Sequence, residues 1–339
     1  MDMKKRKFLD GHSKTKLILT VLAAIIGFCL VYSVLSFIEK SSETGTTEYG
    51  NGFSGTGPEI VYNGEKYSYK SRLKNILFMG IDTTGELVDH KGEYHTGGQS
   101  DVLFLASIDH DNEEINVIQL DRDTMTMINA YDENGQNEGE YEAQLALAYY
   151  YGDGDKSSCR NTVNAVSKLL YGVSVDDYFS INMDAIDILN DAVGGVSVTI
   201  KDDFSEIDSS LVMGETITLR GEQAINFIRS RKNVGEGNNV ERMSRHRDYL
   251  YSFKNALFAA AEKNPELIAT MDESVADYRV TTMSLERMAG YLHNAREYKI
   301  NDIIVPEHTA DYSGEFVEVR LNEDKLKEMI VNLFFEKDE

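Results

Sequence analysis

Between residues 229 and 247 the chain places Arg229, Arg231, Lys232, Arg242, Arg245 and Arg247 against only Glu236 and Glu241, a net +4 in nineteen residues. Five of the six bases are Arg, whose planar fork suits two-point capture of phosphate or carboxylate oxygens. Arg242 and Arg245, three apart, share one side of a helical turn. Gly235 and Gly237 just before them would let backbone come close to a ligand. Phe227-Ile228 lead into Arg229 as an apolar run, which sets Arg229 and Arg231 at the rim of a core. The competing reading is a solvated, ion-paired helix face. A second group is acidic: Asp82 follows the apolar run at 75–81, Asp101 opens another after Gly97-Gly98, and Asp121-Arg122-Asp123 ends a third at 115–120. Carboxylates gathered at one end of a sheet are hard oxygen ligands suited to Mg2+, which fills its shell with water and substrate phosphate. Asp at a strand end is also ordinary turn chemistry.

The elements that must position these groups alternate. Residues 75–80, 102–109 and 115–120 read as strands, short, apolar or alternating, and turn-bounded. Val163, Val166, Leu169 and Leu170 mark a helix at 161–170 closed by Gly172. A second helix at 184–192 stops at Gly194-Gly195, and residues 196–200 alternate as a strand. Residues 221–229 form a short helix and 242–262 a long one. Strands at 300–305 and 316–321 precede an amphipathic helix at 324–334, with Leu326, Met329, Ile330 and Leu333 on one face. Strands interleaved with helices predict an α/β fold, with one central sheet flanked by helices.

The first sixteen residues carry six bases and two acids, a net +4, and the rest of the chain 28 bases and 55 acids, a net −27. Between Lys16 and Glu39 no residue is charged. At about 1.5 Å per residue, a helix at 17–38 spans a hydrocarbon core of roughly 30 Å. The positive-inside rule puts residues 1–16 in the cytoplasm and all that follows Lys40 outside. A cleaved signal peptide would have a shorter apolar run and a small-residue cleavage site. Twelve of the seventeen residues at 41–57 are Ser, Thr or Gly, so 39–61 reads as a flexible linker and 62–339 as a single extracytoplasmic domain. A part this acidic is a poor binder of nucleic acid. Cys29 lies in the apolar run, and Cys159, alone outside, reads as a small buried hydrophobe.

In order, Asn75-Ile76-Leu77-Phe78-Met79-Gly80-Ile81-Asp82, Ser100-Asp101, Arg122-Asp123-Thr124, residues 149–152, Asp191-Ala192-Val193-Gly194-Gly195-Val196, Gly221-Glu222-Gln223-Ala224, Arg229-Ser230-Arg231-Lys232 and the pair Arg242 and Arg245 resemble the LytR-CpsA-Psr family. The resemblance covers residues 72–255 and follows the family's type of membrane anchor. It implies an α/β sandwich with a long apolar pocket for a polyprenyl tail and an Arg-lined mouth for its pyrophosphate. It implies Mg2+ held at Asp82 and Asp101, and phosphates surrounded by Arg122, Arg229, Arg231, Arg242 and Arg245. The reaction implied is transfer of a glycopolymer, such as teichoic acid or capsule, from lipid pyrophosphate to peptidoglycan. The chain departs from the family at Gln99, where an Arg is usual, at Asp121 for Pro, at Gln144 for Lys and at His246 for Gln. Gln99 keeps a hydrogen bond for phosphate but no charge.

Attack by a sugar hydroxyl on phosphorus needs charge neutralised on the non-bridging oxygens and a base for the proton. Asp123, beside Arg122 and free of metal duty, is the candidate base; its other role is to orient Arg122. A membrane-anchored, Mg2+-dependent phosphotransferase is therefore expected. A polyprenyl-pyrophosphate hydrolase and a non-catalytic lipid-binding regulatory anchor are the alternatives.

Overall fold

Asn63 and Gly64 both sit at positive φ, 53° and 82°, the two-residue turn that suits a twisted hairpin. They join β1 (Glu59–Tyr62) to β2 (Glu65–Tyr69). The computed structural model describes residues 48–49, 53–54, 59–87, 94–95, 97–235, 237–314 and 316–338. The expected cytoplasmic tip, the transmembrane helix at 17–38 and most of the linker lie outside the described residues. Among the described residues no helix is long and apolar enough to cross a membrane. Ile60 is buried in the core.

The unit that spans Tyr49–Glu339 continues with β3 (Leu73–Ile81), β4 (Ser100–Asp109) and β5 (Glu114–Leu120), an antiparallel meander. A hairpin of β6 (Met125–Tyr131) and β7 (Asn137–Gln144) leads to α1 (Leu147–Tyr150) and α2 (Lys156–Leu169). Then come β8 (Asp177–Ile181), α3 (Asp184–Ala192) and the hairpin of β9 (Val196–Thr199) with β10 (Thr216–Leu219). Three helices follow: α4 (Glu222–Arg229), α5 (Asn239–Lys263) and α6 (Leu267–Ser274). The chain closes with β11 (Arg279–Thr281), α7 (Leu285–Glu297), β12 (Lys299–Ile300), the hairpin of β13 (His308–Asp311) and β14 (Glu318–Leu321), α8 (Glu323–Phe334) and β15 (Phe335–Lys337).

The central sheet is mixed, in the order β11-β8-β3-β4-β5-β12, with β8/β3 and β5/β12 parallel and the other pairs antiparallel. Side chains along β4 alternate between its two faces. Leu103 and Leu105 join Ile118, Val166 and Ile330 in one core, so α8 completes the same domain as the sheet. Val102, Phe104, Ala106 and Ile108 instead line a cavity of about 530 Å3. α3, α5, α6 and α7 close its far side through Leu189, Phe253, Met271 and Tyr291. Gly80 is needed on this face, since a Cβ there would stand 3.0 Å from that of Val102. A second core, with Val196, Leu219, Phe227 and Leu267, gathers the helices. Cys159 is free and buried, and burial pushes its thiol pKa up.

Candidate active site

β3 and β4 end side by side, Ile81 opposite Ser100. The turn between them closes at Gly98, with φ +76°, where a Cβ would come within 2.7 Å of Asp82 Oδ1. In the room left, the Gln99 N–H donates to Asp82 Oδ1 at 2.6 Å and the Asp82 N–H to Gln99 O at 3.1 Å. Asp82 is thereby fixed while its side chain stays exposed.

Asp101, 10% exposed, is bracketed by two guanidinium groups: Arg122 donates to Oδ1, and Arg242 to Oδ2 at 2.8 Å. Arg122 also donates to Gln99 Oε1 and, at 3.3 Å, to Asp123 Oδ1. Gln99 thus orients a guanidinium through its amide oxygen, a role that its sequence position does not announce. Arg242 donates twice to Asn239 Oδ1, at 3.1 and 2.8 Å. Burial pushes the pKa of both arginines down and nearby Asp123 opposes it, and a guanidinium so placed keeps its charge at neutral pH.

The remaining arginines divide. Arg245 donates to Asp202 at 2.9 Å, to Phe227 O at 3.2 Å and to Ser230 O, and lies over the Phe204 ring. It braces the exit of α4, so the pair three apart on α5 diverges to two different acids. Arg229, the last residue of α4, and Arg231 are exposed and make no ion pair with a described residue. The structure therefore brings Asp82, Gln99, Asp101, Arg122, Asp123 and Arg242 together, and leaves Arg229 and Arg231 exposed, without an ion pair among the described residues, on the segment that Arg245 holds.

Two of the departures turn out to be neutral donors. Gln144 Nε2 donates to Asp123 Oδ1 at 3.0 Å and to Val317 O at 2.8 Å. Burial beside Arg242 pushes the His246 pKa down to about 3, and its Nε2 lies 3.0 Å from Ile228 O. A carbonyl only accepts, so that nitrogen carries the proton. Asn239 and Asp202 were missed in the sequence. Asn239 carries a local signal, three residues before Arg242 at the start of its helix; Asp202 carries none.

Asp82 has a second oxygen that no described residue donates to. The Asp101 oxygens, each holding one guanidinium, retain lone pairs. A divalent cation with few protein ligands, the habit of Mg2+, fits that donor set, and no larger metal-ligating group exists among the described residues.

The sequence model of the LytR_cpsA_psr family matches residues 35–333. Biofilm regulatory protein A of Streptococcus mutans is 25% identical over 267 residues, which are 75% of this chain and 60% of that protein, so the chain spans less than two thirds of it. A polyisoprenyl-teichoic acid–peptidoglycan teichoic acid transferase TagU of Bacillus cereus is 29% identical over 247 residues, 72% of each chain. Among solved structures, B. subtilis TagV superposes with a TM-score of 0.57 at 22% identity, covering 78% of this chain and 96% of that one. A structure of TagT bound to LI-WTA does so with 0.58 at 20%, covering 78% and 90%. These likenesses share the mixed sheet flanked by helices, and by the family match over most of its length the chain belongs to the LytR_cpsA_psr family.

Proposed function

We propose that the protein is a phosphotransferase that moves a glycopolymer from a polyprenyl-pyrophosphate carrier to a peptidoglycan hydroxyl. The supporting observation is continuity between the cavity and the charged rim. Ile81, Val102 and Ile228 line the apolar cavity, and their sequence neighbours Asp82, Asp101 and Arg229 belong to the charged site. A ligand with an apolar tail and an anionic head meets both at once. The TagU relative is named as a teichoic acid transferase and TagT holds LI-WTA, which agrees with this reading.

In it, Arg122 and Arg242 form the inner wall against the phosphates, and Arg229 and Arg231 close on them from the exposed side. Arg245 keeps those two in place. Mg2+ bound at Asp82 and Asp101 would neutralise non-bridging oxygens. Asp123, held by Arg122 and Gln144, takes the proton of the attacking hydroxyl. Residues 17–38 anchor the chain with its N-terminus in the cytoplasm and the domain outside. Purified full-length protein, incubated with a radiolabelled lipid-pyrophosphate glycopolymer, Mg2+ and peptidoglycan, should move label to the insoluble wall. Release of free polymer at the same rate with and without peptidoglycan would instead make it a hydrolase.

A further inference from the structure

Next to Asp123 lies a second hollow, a polar cleft of about 250 Å3 lined by Asp121, Asp123, Arg231, Asn238, His308 and Tyr312 among others. Asp121 is 6% exposed. Its Oδ1 accepts from the Asp123 N–H at 2.9 Å and from Asn239 Nδ2 at 2.7 Å, and its other oxygen receives no hydrogen bond from a described residue. Asp123 is likewise served at Oδ1 alone, by Arg122 and Gln144. The unserved oxygens are not among the sealed polar atoms of the described residues, so they are open from the cleft to a donor that a ligand brings. The loop between β13 and β14 adds the complementary surface. Tyr312, 63% exposed, stands among the lining residues, and Phe316, 68% exposed, follows in the same loop. An aromatic face beside converging acceptors matches a sugar ring, whose C–H face is apolar and whose edge bears hydroxyl donors.

Resting on the transferase reading, we propose that this cleft is the acceptor subsite and that Asp121 determines which acceptor enters. The acceptor it takes is a pyranose that presents hydroxyl or amino hydrogens and carries no negative charge. Two buried carboxylates against the exposed Arg231 repel an anionic glycan. In the transfer, the acceptor oxygen bonds to the phosphorus that bears the glycopolymer. The bond from that phosphorus to the bridging oxygen breaks, polyprenyl phosphate leaves with the electron pair, and the hydroxyl proton passes to Asp123. Asp121 binds a neighbouring hydroxyl or amine and so sets the register of the ring.

The test uses full-length protein in detergent micelles and saturation-transfer NMR titrations with three tetrasaccharides: chitotetraose, its fully de-N-acetylated form and tetragalacturonate. The first two should bind, and the third at least tenfold more weakly. Asp121→Asn keeps the Oδ1 contacts and should weaken chitotetraose at least fivefold. Tyr312→Ala, at an exposed site where folding is not at stake, should do the same. Affinity for a short-chain polyprenyl pyrophosphate, measured alongside, should not change in either variant. If wild type fails to bind that lipid, the transferase reading itself falls. If it binds the lipid but no tetrasaccharide, or takes tetragalacturonate as well as chitotetraose, or if both variants keep wild-type glycan affinity, the acceptor assignment alone is overturned.

Discussion

Along β4, Val102, Phe104, Ala106 and Ile108 give the cavity a continuous apolar wall, whereas the residue just before them, Asp101, is held between Arg122 and Arg242, which lie 21 and 141 positions away. The wall is local, made by period-two alternation within one strand. The rim is non-local, made by charges that only the finished fold brings together. A wall of dispersion contacts tolerates exchange among residues of like volume. A rim of buried ion pairs does not tolerate loss of one member, because the charge left behind has no solvent.

Arg242→Ala is the harshest way to break that contrast. It strips Asp101 of one guanidinium and Asn239 of two donors, and removal of one partner from a buried pair costs about 3–5 kcal/mol. Chemical denaturation should show a loss of that size together with abolished donor binding, and Arg242→Lys should recover only part, since the fork is gone. A variant as stable as wild type would mean that the rim is solvated. A milder change addresses the wall. Ala106→Phe projects into the cavity, where each buried CH2 of a lipid tail contributes about 0.8 kcal/mol. Excluding one isoprene unit should therefore weaken a polyprenyl ligand at least about tenfold, with inorganic pyrophosphate binding unchanged. Equal loss of both ligands would indicate damage to the fold.

The smallest effect falls on Asp121. Burial raises its pKa against the hydrogen bond from the Asp123 N–H. Asp123 and His308 face it, as does Arg242 and, across the cleft, Arg231. With the folded pKa raised, the native state holds the proton more tightly than the unfolded chain, whose Asp titrates at about 3.9. The ionised carboxylate therefore costs stability that appears as pH rises above that value. Asp121→Asn should melt with wild type at about pH 3 and at a higher temperature at about pH 7; a lower Tm at the higher pH would contradict the assignment.

The same division between local and non-local explains what the sequence could tell. The meander β3-β4-β5 follows from periodicity because each strand buries its own apolar residues, and helix α3 (Asp184–Ala192) follows because Ile186 and Leu189 fall on one face that packs on the second core. The hairpin partner β7 is Glu-rich and exposed over its first half, with Ala143 its only fully buried residue, so no hydrophobic pattern marks it. α7 buries no residue fully; its apolar side looks into the cavity through Met288, Tyr291 and Leu292, which alternation rules do not anticipate. At the rim, Asp82 and Asp101 are legible from their positions at strand ends, Arg242 from the basic run at 229–247, and Arg122 through the family resemblance. The bracing duty of Arg245 is not, because two of its acceptors are backbone carbonyls fixed only by the path of α4. Similarly, nothing near Asp121 in sequence points to Tyr312, which lines the same cleft from a hairpin nearly 200 positions on.

Calorimetric titration of the full-length protein in micelles with three ligands, a short-chain polyprenyl pyrophosphate, the matching polyprenyl alcohol and inorganic pyrophosphate, addresses the central claim that wall and rim form one site. The intact lipid should bind at least about a hundredfold more tightly than either half, and Arg229→Ala should remove roughly tenfold of the affinity for the two phosphate ligands while leaving the alcohol unaffected. Equal affinities for the intact lipid and the alcohol, unchanged by Arg229→Ala, would contradict it.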